Sequence, residues 1–184
     1  MTIMRMSLLL LAVLWMPSAS LVAKVQIAQT KVAKTKRNWR AATPSELESA
    51  LPARATVEKE HIETEMRTAT GVIDSHGKVV AAIVLITAGY AANGKYSYYL
   101  LAQNPIRIGA DIVLPSGTYA IGWTRSPDGL LVHIYDAETG VERGISTAHP
   151  VTQPLPIVSI KIWPPSERSV IQIGRFLLPY SLEE

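Results

Sequence analysis

Three side chains at alternating positions, His61, Glu63 and Glu65, are the first place in this chain where residue types and spacing suggest chemistry. An imidazole and two carboxylates at i, i+2 and i+4 share one face of an extended strand and are ligand types for a divalent cation. A straight strand spreads them over about 13 Å, so one ion would take two of them and a distant third ligand. On this basis a small metal-dependent hydrolase using His61 with Glu63 or Glu65 is an alternative reading of the chain. The plainer reading is a solvated polar face opposite Ile62, Thr64 and Met66. Of the other histidines, His76 falls in a turn and His149 precedes Pro150. His133, between Val132 and Ile134 on the side of Leu131 and Tyr135, reads as packed and hydrogen-bonded. No zinc-protease, nucleophile-elbow, phosphate-loop or calcium-loop pattern is present. Asp111, Asp128, Asp136, Glu138 and Glu142 lie mostly at turn positions, where short acidic side chains serve the backbone. No catalytic residue, metal ligand set or cofactor is assigned, and the balance leans away from an enzyme.

Aromatic residues offer a second possibility. Tyr96 and Tyr98 share parity, Tyr90 stands just before an Asn93-Gly94 turn, and Trp123 follows Tyr119 at even spacing. A face bearing Tyr90, Tyr96, Tyr98 and Trp123 could stack on a sugar ring or a protein partner. The competing reading makes these rings part of the core and its rim.

Charge offers a third. From Leu21 to Ala42 the chain carries Lys24, Lys31, Lys34, Lys36, Arg37 and Arg40 and no acid. From Thr43 to Arg67 it carries Glu46, Glu48, Glu58, Glu60, Glu63 and Glu65. The net charge of +3 therefore hides a basic arm followed by an acidic stretch. Lys31, Lys34, Lys36, Arg37 and Arg40 could hold an anionic surface, or the arm could be a solvated linker. Nucleic acid is not an expected partner, because no aromatic ladder accompanies the lysines.

These candidates need a scaffold, and the chain is long enough for one domain. It has 184 residues, 48% of them hydrophobic and 18% charged, which excludes wholesale disorder. It has no cysteine, so disulfides, thiolate nucleophiles and cysteine-ligated metals are excluded. Arg5, the apolar run Leu8 to Met16, Pro17 and the small residues Ser18, Ala19 and Ser20 form a secretory signal pattern over residues 1–20. The run is shorter than the ~20 apolar residues a spanning helix needs. Export to the periplasm or beyond is expected, with no transmembrane segment after cleavage. The absence of cysteine and of Asn-x-Ser/Thr acceptors favours a bacterial envelope.

The expected organisation is a signal peptide at 1–20, a flexible basic arm at 21–42 and a β domain at 43–184. Thr43-Pro44-Ser45-Glu46 has capping-box spacing and predicts a short helix to about Leu51, stopped by Pro52. After it, period-two alternation and threonine density predict one strand over Val57–Ile73. Asp74-Ser75-His76-Gly77, Asn93-Gly94, Pro115-Ser116-Gly117 and Ser126-Pro127-Asp128-Gly129 are turn signals between further short strands. Val79 to Tyr90 is apolar on both faces and should be central. Eight to ten strands at this spacing predict an all-β fold, a single antiparallel β-sandwich or partly open barrel with one short N-terminal helix.

The stretch Leu114-Pro115-Ser116-Gly117-Thr118-Tyr119 resembles the Leu-Pro-x-Gly-Thr-Tyr hairpin of uncharacterised secreted bacterial β-sandwich proteins. It also resembles prealbumin-like and carboxypeptidase-regulatory-like modules. The resemblance implies an accessory or binding role and carries over no catalytic residue. Together these readings predict an exported, non-catalytic binding or accessory domain of the bacterial envelope, with an envelope polymer or protein as partner. An anionic-surface binder acting through the arm is the other alternative.

Overall fold

The structure is a computed structural model that describes residues 39–87, 95–152 and 154–183. Among them the order runs β1 (Arg40–Ala41), α1 (Pro44–Ala50), β2 (Arg54–Val57), β3 (Glu60–Glu63), β4 (Thr70–Ile73), β5 (Val79–Leu85) and β6 (Tyr98–Ala102). It continues through β7 (Ile106–Ile108), β8 (Ile112–Leu114), β9 (Gly117–Ser126), β10 (Gly129–Asp136) and β11 (Glu142–Pro150). Strands β12 (Val158–Trp163), β13 (Val170–Gly174) and β14 (Phe176–Leu182) complete it.

The fold is all-β, with one short helix and antiparallel pairing. The main path is β1-β4-β5-β6-β9-β10-β11-β14-β13-β12. The last strand, β12, packs back against β4 and β5 without pairing to them, so the sheet curls over an inner core. That core holds Ile83, Leu100, Ile121, Ile134, Ile162 and Ile171, all essentially inaccessible. A second core lies on the other side of β4, β5 and β6, roofed by α1 and the β2–β3 hairpin through Leu47, Leu51, Val57 and Ile62. Strand β5 serves both: Val80 and Ile83 enter the first core, and Val79, Ala82 and Val84 enter the second. Its unbroken apolar sequence is what a strand covered on both faces requires.

The helix forms where its start signal lies. Glu46 reaches back to the Thr43 N–H at 2.8 Å and to its hydroxyl at 2.9 Å, and Pro44 opens the first turn. The Asp74 turn joins β4 to β5: its carboxylate takes the N–H groups of His76 and Lys78, and Gly77 adopts φ +78°. Pro127 and Asp128 close β9 onto β10, with Ser126 opposite Gly129. β5 and β6 pair antiparallel as a hairpin would; Asn93-Gly94 itself lies outside the described residues. So do residues 1–38, with the expected signal peptide and nearly all of the arm. Among the described residues no helix is long and apolar enough to cross a membrane.

Three expectations are corrected. Val57–Ile73 is not one strand but a hairpin of β2 and β3, an isolated bridge at Thr64, a 3-10 turn at Met66–Thr68 and then β4. The turn residues are Glu58 and Lys59, both in the left-handed region at φ 48° and 74°. Neither is Gly or Asn, so the usual sequence signal for such a turn is missing. The Leu114–Tyr119 segment is not a hairpin either. β8 pairs with β7, β9 pairs with β6 and β10, and the chain turns a corner between them. The Tyr119 hydroxyl donates to the Pro115 carbonyl at 2.7 Å and fastens that corner, with Gly117 leaving room for the ring. Finally, the fold begins before Thr43. Arg40 and Ala41 pair with Ile73 and Val72, and the Ser166 hydroxyl donates to the Trp39 carbonyl at 2.6 Å.

Candidate functional site

The strained Glu58–Lys59 turn is where polar side chains converge. A non-glycine residue in the left-handed region costs about 1–2 kcal/mol, so something must hold this turn. The Glu58 N–H donates to the Ala137 carbonyl at 2.8 Å. Its carboxylate lies against Gly140, itself at φ +68°, so close that any Cβ there would overlap it. The Tyr96 hydroxyl donates to that carboxylate, and the Lys95 ammonium stands 3.5 Å from the same oxygen.

Lys95 is the hub. Its ammonium lies 4.8 Å from the centre of the Tyr96 ring and 4.3 Å from that of Tyr135, and the two rings meet edge to face at 5.1 Å. A cation over an aromatic face is attracted by the ring quadrupole. The Tyr96 hydroxyl beside it holds Lys95 above its ordinary pKa, with Glu58 and Tyr135 adding to the effect. Burial, more than the Glu58 carboxylate, pushes the Tyr96 phenol up. Tyr135 is also raised, by burial first and by Glu142 second.

Strand β10 extends the row. Leu131, His133 and Tyr135 alternate with the buried Leu130, Val132 and Ile134, so they share the outward face. The His133 ring lies nearly parallel to Tyr135, centres 6.2 Å apart, and its Nδ1 is 2.7 Å from a Glu142 oxygen. His133 is paired across the sheet with Gly122 on β9 and Ile145 on β11. Ile145 is half exposed, and the backbone of Lys95 crosses directly over Gly122. Beyond Tyr135, the Asp136 carboxylate takes the Thr139 N–H and hydroxyl and the Arg143 guanidinium, which fixes the β10–β11 turn. Those donors, Arg143 first, hold its pKa at about 2.

The result is an open surface on which carboxylate, ammonium, phenol, imidazole and a second carboxylate follow one another beside ring and aliphatic area. Such a set offers both donors and acceptors next to apolar contact.

Of the aromatic candidates, Tyr96 lies beneath this surface: its ring is buried in the outer core and its hydroxyl meets Glu58 from below. Tyr98 does not share a face with it: Tyr98 sits in the inner core and its hydroxyl donates to the Ser159 carbonyl at 3.1 Å. Burial pushes the Tyr98 phenol up, against the pull of the Trp123 indole N–H beside it. Trp123, on β9 opposite Val132, is exposed over 37% of its surface. Tyr90 lies outside the described residues, as do Lys31, Lys34, Lys36 and Arg37. Arg40 is part of β1, and its guanidinium grips the Glu46 carboxylate at 2.6 and 2.9 Å.

His61, Glu63 and Glu65 do not converge. His61 faces Thr56 at 3.3 Å, Glu63 pairs with Arg54 at 3.4 Å, and Glu65 pairs with Arg67 at 3.1 Å. Among the described residues no group of three His, Asp or Glu side chains is placed to hold a metal ion. Sequence reasoning missed Glu58 and Lys95, because a left-handed turn without glycine gives no signal and a single lysine has no pattern. Tyr135 and His133 were legible as one face of a strand, without a partner to mark them as more. No family model matches the chain, and neither a curated protein nor a solved structure does.

Proposed function

We propose that this chain is an exported, non-catalytic binding or accessory domain of the bacterial envelope. Its contact surface is the outward face carrying Lys95, Tyr135 and His133, with the Tyr96 ring buried beneath Lys95 as its support. The observation that carries the reading is the seating of Lys95. Two glycines, Gly122 and Gly140, admit its backbone and its Glu58 partner, and two tyrosine rings hold its ammonium. Strained backbone at Glu58 and Lys59 is maintained around this point, and strain of that kind concentrates at functional sites. The alternation of donors and acceptors beside aromatic surface suits a polymer of hydroxylated rings, such as an envelope glycan. The signal pattern at residues 1–20 supports the location.

The test is retention of the mature chain on isolated cell-wall glycan, compared with Tyr135→Ala and His133→Ala. Retention that falls at least tenfold in both variants, each still folded by circular dichroism, is the expected result. Equal retention of all three proteins, or a hydrolytic turnover abolished by one point substitution, overturns the reading.

A further inference from the structure

A second constellation stands apart from the Lys95 face, on β12 and the turn that follows it. Lys161 and Trp163 are two residues apart and share the outward face, and the Lys161 ammonium sits 3.5 Å from the centre of the indole. The Arg168 guanidinium lies 5.4 Å from the same ring. Two cations thus converge on one aromatic side chain.

That side chain is held firmly. The Trp163 indole N–H donates to the Gln172 carboxamide oxygen at 3.0 Å, and the Trp163 carbonyl accepts the Tyr180 hydroxyl at 2.7 Å. Gln172 is itself buried, and its amide group donates to the carbonyls of Pro156 and Gly174 at 2.8 and 2.9 Å. The turn is built as tightly. The Pro164 carbonyl faces the N–H groups of Glu167, Arg168 and Ser169 at 2.9 to 3.3 Å, and Ser169 takes a left-handed φ of 53°. This places Arg168 beside the ring.

Among the described residues neither Lys161 nor Arg168 forms an ion pair, although Glu167 stands on the same turn. Arg40, Arg54, Arg67, Arg107 and Arg143 are paired with carboxylates, while Arg125 and Arg175, like Arg168, form no ion pair among the described residues. The same turn holds Trp39, through Ser166.

We propose that the Lys161–Trp163–Arg168 corner is where this domain meets an anionic phospholipid surface. The two cations receive headgroup phosphate oxygens, and the indole sits at the level of the headgroups. Lysine and arginine gain from a negative leaflet, and tryptophan is enriched at membrane interfaces. The proposal is independent of the Lys95 face, and the two are separable by experiment.

The experiment is co-sedimentation of the mature chain with phosphatidylglycerol/phosphatidylcholine vesicles at low salt, beside pure phosphatidylcholine vesicles. Binding to the anionic vesicles alone is expected. The double substitution Lys161→Gln with Arg168→Gln is expected to weaken it about thirtyfold, from ~1 kcal/mol per surface cation. Lys78→Gln should leave it unchanged. Brominated lipid should quench the tryptophan fluorescence of the unaltered protein, and Trp163→Phe should remove most of that quenching. This readout does not depend on the folding of the double variant. Binding that is equal in the double variant, equal on zwitterionic vesicles, or displaced by millimolar inorganic phosphate overturns the proposal; the last would mark a free-phosphate site.

Discussion

The backbone carbonyl of Lys95 lies on Gly122, in contact so close that no side chain could stand between them. The sheet is thinned at one position of β9 so that a neighbouring segment can lie flat on it.

Gly122→Ala therefore forces the Lys95 segment off the sheet. We expect a loss of about 2 kcal/mol or more, as for other overpacked sites. Glycan retention should fall with it, because Lys95 and Tyr96 move together. Urea denaturation checks the first part, with Thr124→Ala on the exposed part of the same strand as control. A variant as stable as the parent would show that the segment can rise without cost.

Lys59→Gly should act in the opposite direction. Lys59 holds φ 74° and sits in the turn with no ion pair of its own among the described residues. Glycine tolerates that geometry, so relief of strain should exceed the added chain entropy and raise stability by about 1 kcal/mol. A thermal melt reads it directly. A lower melting temperature would mean that the lysine side chain contributes something the backbone argument omits.

Acid should weaken the fold over a defined range. Asp136 and Glu46 both titrate at about 2 in the folded protein, against about 4 for the unfolded chain. Their carboxylates therefore favour folding fully above about pH 4, and that contribution is lost as the pH falls through about 2. Both side chains are partly exposed, Glu46 at 29% and Asp136 at 22%, so salt screens the share of each. Denaturant midpoints at pH 6, 3 and 2 should drop steeply for the parent and less for Asp136→Asn. Identical slopes for both would remove Asp136 from the account.

Tyr119→Phe tests the corner between β8 and β9. Removing the hydroxyl leaves the Pro115 carbonyl without its 2.7 Å donor, at an expected cost of about 1 kcal/mol. Because Pro115 is exposed, water can replace part of that bond, and a loss above about 3 kcal/mol would point to a wider role for the hydroxyl.

Much of the scaffold was legible because its signals are local. Pro44 with Glu46 marks the helix, Pro127-Asp128 closes a hairpin, and the apolar run of β5 announces a strand buried twice. The misreadings share one cause, which is tertiary contact overriding local preference. The Glu58–Lys59 turn is held left-handed by Ala137 and Gly140, which are distant in sequence. Tyr96 and Tyr98 have equal parity, yet the ladder of β6 starts only at Tyr98. The chain at Lys95 crosses Gly122 first and leaves Tyr96 in the outer core. The site lies at these same places, so it was the least readable part of the chain.

Strand β14 pairs with β11 and β13 through its first residues and with β7 through its last. A ribosome releases a chain from its N-terminus, and pairings distant in sequence form late. Until Phe176 has emerged, β7, β11 and β13 each lack one flank, and the inner core cannot close. Closure of the inner core therefore waits on one strand, β14, whose pairings fasten together three strands far apart in sequence.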